Sequence, residues 1–200
     1  MSGTPEALFF DVNETLLDLT PVRESVGAAL RGRTDLVPLW FRTTLHHSLV
    51  ATISKVQIDF AQLAADALRA VGEENGVELD ERRAREAIAP IRSLPALPDA
   101  PPALERLRDS GSRLAALSNS PIDTLTAQLA YAGLDGFFEA AMSVEEVGVF
   151  KPHARAYQWA AERLNLAPGA CMLVAAHGWD VAGARWAGLR AAFVARPGQA

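Results

Sequence analysis

The sequence predicts an α/β fold: a doubly wound parallel sheet with an all-helical piece inserted after the first strand. Three observations carry this. Short apolar runs end on polar residues and give way to helical patterns, as parallel strands covered on both faces do. From about Thr20 to Leu94 only helical patterns occur. And 200 residues, half of them hydrophobic, suffice for one large domain with a modest insertion and a core that needs no staples.

Taken in order, Ala7 to Phe10 is the first strand and ends at Asp11. Thr20-Pro21 then opens a helix, Trp40 to about Val56 forms a second, Asp59-Phe60-Ala61-Gln62 reads as a capping box for a third, and Asp80 caps a fourth. The Pro-rich "SLPALPDAPP" returns the chain to the sheet. Next come "PPALERLRDSG", stopped by Gly111, and the strand Leu114 to Leu117. Ser120 is expected to cap the following helix, with Pro121 in its first turn and Gly133 at its end. Two further runs, Cys171 to Ala176 and Leu189 to Val194, complete the strands. The expected division is a catalytic core of residues 1–16 and 98–200 and a helical cap of residues 17–97.

The net charge of −5 argues against nucleic acid or anionic lipid as main partner, since both need a basic face. A small acid remains an acceptable substrate if its pocket is locally positive. Cys171 is the sole cysteine, so no intramolecular disulfide forms, and its apolar run makes it a buried, inert thiol. The N-terminus lacks the basic start and apolar stretch of a signal peptide, and no apolar run approaches the ~18 residues of a membrane span. A cytoplasmic protein is expected. The four histidines show no spacing such as HExxH, so no metal site is expected.

In a doubly wound sheet, ligands bind beyond the carboxyl ends of the strands. Asp11, Ser118, Asn119, His177 and Asp180 should converge there, together with Lys151, which follows "FFEAAMSVEEVGVF" and precedes a helix-opening Pro152. The set Asp11-x-x-x-Thr15, Ser118 after a strand, Lys151-Pro152 and Asp180 resembles the four ordered motifs of the haloacid dehalogenase-like superfamily, whose core is Rossmann-like. The resemblance covers essentially the whole chain, cap included.

Most members of that superfamily are magnesium-dependent phosphatases, and two departures argue against that chemistry here. Where the phosphatases carry a second aspartate as general acid stands Asn13, whose amide gives up no proton at neutral pH. Where they carry an additional metal-binding acid stands Ala176. A halide leaves without either aid. The sequence accordingly resembles the L-2-haloacid dehalogenase branch, supported by Arg42 in "WFR", by Tyr157 six residues after Lys151, by Phe60 and Trp179 as apolar pocket walls, and by "GWDVAGA". Three positions depart from the commonest pattern of that branch: Ala175 for serine, His177 for asparagine, and Asn13 for an aromatic.

The resemblance implies cofactor-free hydrolysis of a small 2-haloacid. Asp11 would attack the 2-carbon opposite the halogen, inverting it and forming an aspartyl ester that water then cleaves. Lys151 would orient Asp11, Thr15 and Tyr157 would support its carboxylate, and Asp180 would handle the water. Ser118 and backbone N–H groups around Asn119 would hold the substrate carboxylate, with Asn13 beside them. Arg42 would face the halide, and a ring N–H of His177 would donate to it from a smaller pocket that favours fluoride. His46 lies one turn beyond Arg42, and His47 is read as surface. Relatives of the branch are often dimers through the cap, so a homodimer is expected. A phosphatase or other ester hydrolase of the same fold, and a non-catalytic binding protein on the same scaffold, are the competing readings.

Overall fold

The computed structural model describes residues 4–197. Five strands, β1 (Ala7–Phe10), β2 (Arg113–Ser118), β3 (Ala140–Ser143), β4 (Cys171–Ala175) and β5 (Arg190–Phe193), form one sheet in the order β3-β2-β1-β4-β5. All four pairings are parallel. The first strand is therefore central, with β2 on one side and β4 on the other, and the chain reverses its winding direction there. Ligands of open α/β sheets bind at such a crossover.

Strand side chains alternate between two cores. Leu8, Phe10, Leu114 and Ala116 face one; Ala7, Phe9, Ala115, Leu117 and Leu173 face the other. Helices cover both. On the second face lie α7 (Ala154–Arg163) and α8 (Gly178–Trp186), which bury Tyr157, Trp159, Ala160 and Ala184. The first is covered by α5 (Ala100–Asp109) and α6 (Ile122–Tyr131), and also receives residues of the inserted helices.

Those inserted helices are α1 (Thr20–Ala29), α2 (Val37–Ser54), α3 (Phe60–Glu74) and α4 (Glu81–Ile88). Pro21 sits in the first turn of α1, where its missing N–H costs nothing. Asp59 caps α3 by accepting from the Ala61 N–H at 2.6 Å, and Asp80 caps α4 by accepting from that of Arg83 at 2.7 Å. Gln62 does not close a capping box; its amide donates to Asp66 at 3.0 Å and its carbonyl accepts from Arg85. The two linkers into this layer run side by side, with Asp18 N–H donating to Pro95 O and Leu97 N–H to Leu16 O.

Three expectations shift. Residues 140–143 form a strand, hidden in the sequence because "AAMS" has no β-branched residue. The cap of α6 is Pro121, not Ser120, whose backbone N–H donates to Ser118 Oγ at 3.0 Å and whose carbonyl accepts from Ser143 Oγ at 2.8 Å. Helix α7 starts at Ala154, capped by His153, two residues after Pro152.

Candidate active site

The carboxyl ends of β1, β2 and β4 deliver Asp11, Ser118 and the 175–180 segment to one place. Asp11 follows β1 directly and is 6% exposed. Its Oδ1 accepts from Lys151 Nζ at 2.8 Å, and its Oδ2 accepts from Thr15 Oγ1 at 2.7 Å. The Thr15 hydroxyl in turn accepts from the Ala176 N–H at 2.9 Å, tying the loop after β1 to the end of β4. Burial would push the Asp11 carboxyl up, but the charge of Lys151 and the hydrogen bond from His177 outweigh it and hold the group well below the usual carboxylate range. Asp11 is thus a permanent anion with a fixed orientation.

Lys151 is fully enclosed. Besides Asp11 it donates to Asp180 Oδ2 at 2.7 Å and to Leu117 O at 3.1 Å, which exhausts its three protons. Burial alone would lower its pKa; the two carboxylates reverse that and raise it. The side chain of Asn119 is spent on placing this lysine: its Oδ1 accepts from Lys151 N–H at 2.9 Å and its Nδ2 donates to Lys151 O at 3.4 Å.

Asp180 lies in the first turn of α8 and is completely buried, so it is no surface cap. Its second oxygen, Oδ1, accepts from the Tyr157 hydroxyl at 2.5 Å. Tyr157 therefore supports Asp180 and not the carboxylate of Asp11, and burial and that acid keep its phenol neutral. Burial raises the pKa of Asp180 itself, against the attraction of Lys151. The close approach of α8 is set by Gly183, where a Cβ would lie 2.4 Å from Pro152 Cβ and 2.8 Å from the Tyr157 hydroxyl.

His177 departs from the expected role. Its Nδ1 lies 3.2 Å from Asp11 Oδ2 and its Nε2 lies 2.9 Å from Glu14 Oε2, so neither nitrogen is left to face a halide. The ring is stacked against Phe41 and Trp179, at centroid distances of 6.0 and 5.4 Å. Burial would lower its pKa, but hydrogen bonds to the two carboxylates raise it to about 9. Glu14, which sequence reasoning passed over, is 6% exposed, has φ 62°, and pairs with Arg23 through its other oxygen. A glutamate in the loop just after Asp11 was the available signal; its partner lies 163 residues away. These groups form a continuous row of acid–base pairs: Asp180, Lys151, Asp11, His177, Glu14, Arg23.

Two hollows flank this row. A cleft of about 420 Å3 is lined by Glu14, Arg23, Trp40, Phe41 and Arg42 among others. Arg42 is exposed there and is not brought into contact with Asp11. A smaller, apolar cavity of about 40 Å3 is lined by Asn13, Trp40, Phe41, Phe60 and Ser120 among others. Asn13 enters it with a fixed amide: its Oδ1 accepts from Gln128 Nε2 at 2.9 Å and its Nδ2 donates to Ser120 Oγ at 3.4 Å. Ser118 is buried, and because its oxygen accepts from the Ser120 N–H, its own O–H remains a donor. Ala175 closes β4 in the core, His46 is exposed, and half-buried His47 pairs its ring with that of His46 at 6.2 Å.

An aspartate at the tip of the central strand, locked by a buried lysine and a threonine, is the arrangement of a hydrolase that works through a carboxylate nucleophile. The chain belongs to the haloacid dehalogenase-like hydrolases, whose family model matches residues 5–188. It is 30% identical to an (S)-2-haloacid dehalogenase of Pseudomonas sp. (strain YL) over 96% of this chain and 84% of that protein. It is 32% identical to the (S)-2-haloacid dehalogenase of Xanthobacter autotrophicus over 97% of this chain and 76% of the relative. The crystal structure of L-2-haloacid dehalogenase from X. autotrophicus superposes with a TM-score of 0.88 over 96% of this chain and 78% of that one, at 32% identity. A further structure of that enzyme, with chloropropionic acid covalently bound, matches with the same TM-score at 31% identity.

Proposed function

We propose that this protein is an (S)-2-haloacid dehalogenase that hydrolyses short 2-haloalkanoic acids to (R)-2-hydroxyacids and halide. The observation that carries this reading is Asp11, ionised, oriented by Lys151 and Thr15, and accompanied by the amide of Asn13 in place of a proton-donating acid. A carboxylate attacks carbon bearing a halide without protonating the leaving group, whereas an alkoxide leaving from phosphate needs that proton.

In the first half of the reaction an oxygen of Asp11 attacks the 2-carbon from the face opposite the halogen. The carbon–halogen bond breaks, halide departs with its electron pair, and an ester forms on Asp11. Lys151 offsets the repulsion between two anions at the moment of attack. Ser118 O–H and the start of α6 hold the substrate carboxylate, while Phe60, Trp40 and Phe41 enclose its carbon chain. Arg42, exposed in the outer cleft, supplies a positive charge there for an incoming anion, while Arg23 is paired with Glu14. In the second half water attacks the ester carbonyl, so the inverted centre survives. No step calls for a metal or cofactor.

Incubation with each enantiomer of 2-chloropropionate in excess chelator, following chloride, tests the reading. Release from the S enantiomer alone supports it; release only upon adding magnesium, or phosphate release from phosphomonoesters instead, favours the phosphatase alternative.

Finer readings complete the proposal. Residues 17–97 act as a cap over the core, supported by the paired linkers and by cap residues lining both hollows. Among the described residues no helix is long and apolar enough to cross a membrane, which agrees with a cytoplasmic place. Exposed Leu49, Val50, Ile53 and Val56, on and just beyond α2, support a homodimer through the cap.

A further inference from the structure

We propose that Asn13, held in place by Gln128, selects 2-haloacids that carry a hydrogen-bond acceptor on their third carbon, the smallest being 2-halo-3-hydroxypropionates. This inference rests on the dehalogenase reading and names a substrate class within it.

The direction of the Asn13 amide is dictated from outside the site. Gln128, on α6, is completely buried, and its Nε2 donates to Ile91 O at 2.8 Å and to Asn13 Oδ1 at 2.9 Å. A backbone carbonyl only accepts, so Gln128 must turn its NH2 toward Ile91. The same NH2 meets Asn13, which must answer with its oxygen. The amide nitrogen of Asn13 is left to point the other way, toward Ser120 Oγ at 3.4 Å. Reversing Gln128 would set two oxygens against each other, and reversing Asn13 alone would do the same with two NH2 groups.

The anchor of this relay is itself fixed. Ile91 lies in the 3-10 turn Ala89–Ser93 that ends the inserted helices. Beside it, Arg92 donates to Asp123 Oδ2 at 2.8 Å and to Thr124 Oγ1 at 3.0 Å, which ties that turn to the start of α6. Gln128 Oε1, by contrast, is buried with no partner among the described residues, a cost that a leucine there would not incur. Packing α6 against the turn does not require that penalty; directing an amide does.

What the Asn13 nitrogen faces is the part of the pocket that takes the carbon chain. Asn13 lines the cavity of about 40 Å3 together with Trp40, Phe41 and Phe60, the side chains that enclose the chain in the reading above. One of its two amide protons faces Ser120 Oγ, and the other meets no acceptor among the described residues. Because Ser120 Oγ accepts from Asn13, its own O–H is a second donor. Both donors stand in walls that are otherwise largely apolar. An alkyl group leaves them unanswered, whereas an oxygen on the third carbon accepts from them. The space also limits size: a water molecule takes up about 30 Å3 in the liquid, so the cavity admits a hydroxyl and excludes a longer branch.

The reaction itself is unaltered. Asp11 bonds to the 2-carbon, the carbon–chlorine bond breaks, and chloride leaves with the electron pair. Water then cleaves the ester and one proton passes to solvent. (S)-2-Chloro-3-hydroxypropionate gives (R)-2,3-dihydroxypropionate. The hydroxyl is bound equally before and during attack, so its recognition falls on KM more than on kcat.

The test is chloride release from (S)-2-chloro-3-hydroxypropionate and from (S)-2-chloropropionate, each corrected for release without enzyme, by wild type, Asn13→Leu and Gln128→Leu. The quantity read is the ratio of the two kcat/KM values. Wild type should favour the hydroxylated acid ~10-fold or more, and Asn13→Leu should move the ratio ~10- to 100-fold toward the methyl acid. Gln128→Leu frees the Asn13 amide to turn and should lower the ratio ~3- to 10-fold, chiefly by raising KM for the hydroxylated acid. A merely structural role for Gln128 would weaken both acids together and leave the ratio where it was. A wild-type ratio at or below one would overturn the proposal. So would a ratio unmoved in Asn13→Leu, which would mean that the amide holds the carboxylate common to both acids. An unmoved ratio in Gln128→Leu would overturn the relay; should that variant fail to fold, the Asn13→Leu ratio decides. Wild type inert toward both acids would be a failure of the dehalogenase reading instead.

Discussion

Lys151→Met keeps the length of the buried side chain and removes its charge. The two oxygens it bridges, on Asp11 and Asp180, lie 2.8 and 2.7 Å from its nitrogen, so they can be no more than 5.5 Å apart, the sum of those distances. Two unit charges at that separation repel by about 3 kcal/mol at an effective dielectric of ~20, which weakens the acidity of one of them about a hundredfold. The attraction of Lys151 for both carboxylates is lost as well. Breaking a buried pair in this way costs ~3–5 kcal/mol of stability. The variant should show that deficit in urea unfolding at pH 7, and chloride release from (S)-2-chloropropionate should fall at least ~1000-fold. The deficit has a direction in pH. Burial already raises the pKa of Asp180 in wild type, and loss of Lys151 raises it further, so the folded variant holds, up to a higher pH than wild type does, a proton that the unfolded form has released. The variant therefore regains stability relative to wild type as pH falls from 7 toward ~5, where wild type still keeps Asp11 ionised. A burst within tenfold of wild type at pH 7, or a stability deficit independent of pH, would refute the assignment of Lys151 as the group that keeps the nucleophile charged.

Other expectations follow from the same geometry. Gly183→Ala sets a methyl group 2.4 Å from Pro152 Cβ and 2.8 Å from the Tyr157 hydroxyl, and should cost ~1–3 kcal/mol in thermal unfolding while slowing the halide burst by displacing Lys151. The pKa of His177, about 9 in the fold against ~6.5 unfolded, makes its stabilisation complete below pH ~6.5 and lost as pH rises through about 9. Wild type should lose ~3 kcal/mol across that window, and His177→Asn should flatten the slope. Ile53→Glu, placing a charge at an 81% exposed apolar position, should yield a monomer in gel filtration if the cap face forms the dimer; an unchanged elution volume would rule that face out.

Much of the architecture is written in local pattern. The strand after which Asp11 stands, the proline that opens α1 and the aspartates that cap α3 and α4 all act within a few residues, where spacing and turn chemistry are readable. The short strand Ala140–Ser143 is not, because small residues there give no periodic signal and only pairing with β2 defines it. The site divides in the same way. Its polar strand ends could be read, since parallel topology brings them together whatever their partners. Which side chain each one holds could not. Tyr157 reaches Asp180 rather than Asp11, Asn119 grips the backbone of Lys151, and His177 turns both nitrogens to carboxylates; these pairings are fixed by packing across 23, 32 and 163–166 residues of chain. Glu14 escaped because an acid in a loop is ordinarily solvated. Its burial depends on Arg23 and His177, and no spacing rule links the three.

The measurement that reaches the centre of the account is a single turnover of (S)-2-chloropropionate, enzyme in excess, in heavy-oxygen water, with the peptide bearing Asp11 and the hydroxyacid product weighed separately. The account predicts one heavy oxygen in the side chain of Asp11 and a product hydroxyl carrying an ordinary oxygen that came from the enzyme. Heavy oxygen in the product hydroxyl with Asp11 unlabelled would mean that water attacks the 2-carbon directly, and would contradict it.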